Sequence, residues 1–119
     1  MTGLTQLVQE QAPMHESPER TRMCMLLMSM RRSLEKYLNN RFPTQQLRTT
    51  TAATLVDRIH YLKRTGAIPS DLAANMHEIR SLGNQAAHRD AALPGRNEIE
   101  AAIRRFWQSK QDFEKEQQP

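Results

Sequence analysis

RSLGNQAAH, residues 80–88, sets a glycine and two alanines among an arginine, an asparagine and a histidine. Gly83 sits in its middle, where glycine costs about 1 kcal/mol relative to alanine in a helix. Either a continuous helix passes through Gly83 because another backbone comes close, or the helix ends there in a left-handed cap and restarts at Asn84. Ala86 and Ala87 extend the small surface in register, which favours the close crossing. On a continuous helix Arg80, Asn84 and His88 recur at four-residue spacing and project from one face. A cation, an amide and an imidazole then stand beside a bare patch of Gly83, Ala86 and Ala87.

The segments around this stretch carry apolar residues at spacings of three and four, without the alternation of a strand. Ser17, Pro18 and Glu19 form a helix start: a capping hydroxyl, a proline in the first turn and an acidic residue near the positive end of the dipole. The helix presents Met23, Leu26, Leu27, Met30, Leu34, Tyr37 and Leu38, with its methionines filling core or interface gaps, and ends near Asn39 and Asn40. A second helix is expected from Thr50 or Thr51, with Leu55, Ile59 and Leu62 inward and Gly66 as its left-handed cap. Pro69 opens the third, which buries Leu72, Met76, Ile79, Gly83 and Ala86. Asn97 and Glu100 approximate a capping box for a fourth, with Ile99, Ala102, Ile103, Phe106 and Phe113 inward. The sequence therefore reads as all-α, a bundle of four or five helices in up-and-down order. Residues 1–16 form an arm or short helix, 17–116 a single bundle and 117–119 a frayed tail.

Composition narrows the class of partner. Seventeen Lys and Arg against 13 Asp and Glu give a formal charge of +4, which favours acidic partners, nucleic acid first among them. The single cysteine, Cys24, excludes an intrachain disulfide and reads as an inert buried thiol. The longest apolar run, Met23 to Met28, is too short to span a bilayer, and the first residues lack a signal-peptide pattern. A cytoplasmic protein with no membrane contact is expected. No zinc-type ligand spacing and no glycine-rich phosphate loop after a strand is present, so neither metal nor cofactor is expected.

The succession YLKRTGAIPSDL followed by HEIRSLGNQAAH resembles bacterial helical domains of unknown function in the HEPN superfamily, named for higher eukaryotes and prokaryotes nucleotide-binding. The resemblance covers roughly residues 20 to 115, and Gly66, Ile68, Pro69, Ile79, Arg80, Gly83, Asn84, Ala87 and His88 carry it. It implies a HEPN-like bundle, frequent homodimers and association with restriction, toxin and antiviral systems. Catalytic members cut RNA without metal, using an arginine, a polar residue, three variable positions and a histidine. His88 matches the histidine and Asn84 the polar position, while Gly83 stands where the arginine would be.

Under a ribonuclease reading His88 is the general acid or base, Asn84 orients the phosphate, and Arg80 replaces the missing arginine. Under the alternative, Asn84 and His88 hydrogen-bond to nearby backbone and fix how the third helix docks. Arg31, Arg32, Arg41, Arg48, Arg104 and Arg105 are candidate phosphate contacts or a solvated face. Only one of Phe106 and Trp107 can point fully inward, so Trp107 joins Gly83, Ala86 and Ala87 as a candidate interface residue. The overall expectation is a noncatalytic HEPN-like binding module, a homodimer as the resemblance implies, for RNA, DNA or a protein of a bacterial or phage defence system. A toxin-like metal-independent endoribonuclease and a protein-only adaptor are the alternatives.

Overall fold

The computed structural model describes residues 17–42, 54–88 and 92–117. Four helices carry them: α1 (Pro18–Arg41), α2 (Leu55–Arg64), α3 (Ser70–Ala87) and α4 (Arg96–Gln117). The proposed arm at 1–16 lies outside the described residues, as do Arg48, Thr50 and Thr51.

Local chemistry sets most of the boundaries. The Ser17 hydroxyl accepts the Arg20 N–H at 3.0 Å, with Pro18 opening α1 and Glu19 in its first turn. α1 then continues to Arg41, slightly past the expected end at the asparagine pair. Thr54 caps α2 by accepting the Asp57 N–H at 3.2 Å, so the helix starts later than expected. Gly66, at φ 79°, ends the turn after α2, and the N–H groups of Ala67 and Ile68 donate back to the Leu62 carbonyl. The capping box at Asn97 does not form. α4 already includes Arg96, and the chain enters it at Gly95, whose carbonyl accepts the Ile99 N–H at 3.1 Å.

α3 is the central element and packs against α1, α2 and α4. The start of α1 meets the end of α3 where Arg20 Nη2 donates to the His88 carbonyl at 3.3 Å. α2 and α3 form a tight hairpin that sets His60 against His77. Asn75 reaches Ser109 while Glu78 reaches Arg105, so α4 also runs against α3. α1, α2 and α4 therefore share one direction and α3 opposes them, which corrects the strictly alternating up-and-down order.

Two buried clusters result. The larger gathers Leu34, Leu38, Ile59, Leu62, Met76 and Phe106, the smaller Leu27, Leu82, Ala86, Leu93 and Ile99. α3 feeds both. Leu26, Met25 and Met28 are exposed rather than buried, because α1 has a single covered face, and of its methionines only Met30 is in the core. At the far end the Tyr37 hydroxyl donates to Glu114, which also accepts from Arg41 Nε at 3.1 Å. Burial, then the Glu114 bond and charge, hold the Tyr37 phenol well above its ordinary range. No described helix is long and apolar enough to cross a membrane.

Candidate functional site

α3 passes through Gly83 without a break. A Cβ added at Gly83 would stand 2.9 Å from the Arg31 Cβ and 3.1 Å from its Cδ. The glycine is therefore needed where the stem of an α1 arginine lies against α3, and the close crossing is made by the chain's own α1. Ala86 is buried in the smaller core cluster, whereas Ala87 and Trp107 are exposed.

This crossing builds a shallow groove of about 180 Å³ lined by Met28, Arg31, Arg32, Glu35, Gly83 and Ala87. The Arg31 Nε is buried without a hydrogen-bond acceptor, its nearest carboxylate being Glu35 at 3.6 Å in an i, i+4 ion pair. Arg80 precedes Gly83 on α3 by just under one turn. Its Nε is also buried and without a hydrogen-bond partner, and no described residue forms an ion pair with its guanidinium. Leaving such a donor unmade costs about 1–3 kcal/mol, more for a charged group. An oxyanion brought against either guanidinium would offset that cost, and of the two only Arg31 lines the groove.

The proposed stripe is only partly assembled. Arg80 and Asn84 lie one turn apart on α3, both half-buried. His88 is the C-cap, with ψ turned to 116°, its N–H donating to the Gln85 carbonyl, and its side chain in solvent. Among the described residues no hydrogen bond joins Arg80, Asn84 and His88. The backbone at His88 does engage a neighbour, through Arg20, so the docking role falls on its carbonyl rather than on its ring.

The other basic candidates disperse. Arg41 is tied to Glu114 and lies over the Phe42 and Phe113 rings, 5.4 and 5.6 Å from their centroids. Arg105 is held by Glu78 at 2.6 Å beside a hollow of about 400 Å³ between α3 and α4, whose rim also carries Glu98. Arg104 is exposed on α4, and Arg48 lies outside the described residues. Trp107 is 44% exposed and lies under the Lys110 ammonium, 4.5 Å from the ring centroid, which also approaches Tyr37 at 4.6 Å. Cys24 is half-buried and its Sγ accepts from Arg20 Nη1 at 3.2 Å.

Two features of the site escaped the sequence. Glu35 stands four residues after Arg31, a spacing that could have revealed the pair. His60 and His77 meet across the α2–α3 hairpin, 4.6 Å between ring centroids, which no local pattern announces. Burial, then His60, Arg80 and Lys63, hold the His77 pKa below its ordinary value of 6.5.

The family model described as a domain of unknown function, DUF4145, matches residues 21–106. No curated protein and no solved structure matches the chain.

Proposed function

The chain belongs to the DUF4145 family, and from that premise we propose that it is a noncatalytic, HEPN-like binding module whose α1–α3 groove takes the phosphate backbone of single-stranded RNA. The observation that carries this reading is the buried, acceptor-less Nε of Arg31 at the Gly83 crossing, with a second such Nε on Arg80, three residues before Gly83 on α3. Arg32 adds a second guanidinium to the groove lining, and Asn84 adds an amide one turn beyond Arg80. Such contacts are indifferent to base sequence and sensitive to salt.

The noncatalytic assignment rests on His88. General acid–base chemistry needs an imidazole within hydrogen-bond reach of its partners, and His88 caps the helix with its ring turned to solvent. Dimerisation and a place in a bacterial or phage conflict system come from the HEPN resemblance alone. A protein-only adaptor is the second reading, favoured by the exposure of Met25, Met28 and Trp107.

Incubation of the protein with labelled single-stranded RNA in a chelator, scored for retention and cleavage together, tests the proposal. Retention without cutting is expected, weakening as salt rises. Arg31→Gln and Arg80→Gln should each lower affinity about 5- to 50-fold and flatten the salt slope by about 0.7. Glu35→Gln should strengthen binding, since it removes the carboxylate that competes for Arg31. RNA cutting that His88→Ala abolishes would establish the ribonuclease instead, and absence of any retention would leave the adaptor.

A further inference from the structure

We propose that His60 and His77, together with Lys63 and Arg80, form a second oxyanion subsite that takes a neighbouring phosphate of the same RNA along with one proton from solvent. This inference rests on the phosphate-binding reading of the α1–α3 groove and extends it across α3 to α2.

The geometry begins with the hairpin. α2 and α3 are joined by residues 65–69, and the tight turn at Gly66 lays the His60 ring against His77, tilted by 47° at 4.6 Å. The His77 Nε2 is buried and has no hydrogen-bond partner. Arg80, whose Nε is likewise without a partner, follows on the same helix about 4.5 Å further along the axis. Four nitrogen-bearing side chains thus gather on the α2–α3 surface, with two of their buried nitrogen atoms lacking any partner.

Charge supplies the second half of the argument. The groups that act on the His77 ring are His60 and Lys63 from α2 and Arg80 from α3, all cationic or able to become so. Of the carboxylates nearby, Glu35 of α1 pairs with Arg31 and Glu78 of α3 with Arg105 of α4, while Asp57 lies in the first turn of α2, three residues before His60. Two imidazoles this close resist carrying two protons unless an anion lies against the edges of both. A phosphate oxygen accepts an N–H from each ring and supplies the missing opposite charge. No bond in the phosphodiester changes; the imidazole that was neutral gains a proton and the complex gains one positive charge. Among the described residues no third histidine, cysteine or carboxylate completes a metal-ligand set with the pair.

The test uses the full chain with a single-stranded RNA oligonucleotide and, separately, inorganic pyrophosphate. Affinity is measured from pH 8 to pH 6, proton uptake by calorimetry in two buffers of different ionisation heat, and His77 titration by NMR. The expected result is RNA binding that tightens about five- to tenfold over that range with uptake approaching one proton, and an upward move of the His77 midpoint on adding pyrophosphate. His60→Gln and His77→Gln should each lose the five- to tenfold tightening between pH 8 and pH 6 and the proton uptake that accompanies it. Equal pH profiles for wild type and His77→Gln, with Arg31→Gln still weakening binding, would overturn the histidine subsite and leave the groove standing. Failure of RNA and pyrophosphate to bind at any pH would overturn both.

Discussion

Gly83 shows how one absent methyl group can fix a crossing. Its α-carbon faces the Cβ of Arg31, the inflexible root of that side chain, so a larger residue must move the backbone of α1 or α3. Gly83→Val is expected to destabilise by about 2–3 kcal/mol in denaturant unfolding, since overpacking outweighs the modest helix gain. The need for a small residue was legible in RSLGNQAAH; the identity of its neighbour was not, because Arg31 lies more than fifty positions away and meets it only after folding. The same holds for His77. Its folded pKa lies below the unfolded value, so the folded state binds fewer protons, and its contribution to stability is present above about pH 6.5 and falls as pH drops below that. A thermal melting series from pH 8 to pH 5 should show wild type losing more stability than His77→Gln.

The start of α1 was readable because a cap is a short-range bargain between one side chain and the N–H three residues on. Ser17 holds the Arg20 N–H, and Ser17→Ala should cost about 1 kcal/mol, measured by the shift of the unfolding midpoint at unchanged slope. Where several threonines and asparagines compete, the pattern alone could not choose. Thr54 caps α2, and Asn97 was absorbed into α4 because Gly95 already offered an entry. The apolar stripe of α1 was overestimated for a related reason: a sequence shows which residues are apolar, whereas only packing shows how wide a face is covered. Leu26 falls outside that width.

At the scale of the molecule, α3 touches every other helix and carries Arg80, Asn84 and His77 on the side that α1 and α2 flank. Met76 is fully buried on this helix within the larger cluster, and Met76→Ala should remove about 2–5 kcal/mol of stability and loosen the groove with it, seen as a lower melting temperature and weaker RNA retention together. The all-helical class was legible from periodicity, but the shared direction of α1, α2 and α4 was not, since amphipathic spacing is blind to which way a neighbour runs. The remaining consequence belongs to the stack of Tyr37, Lys110 and Trp107, which joins α1 to α4. The chain has one tryptophan, so its emission comes from a single chromophore overlaid by an ammonium ion and stationed between two helices. Separation of those helices would take the Tyr37 ring away from the ammonium it shares with the indole and change the indole's surroundings, giving the protein an optical gauge of its own integrity without any label.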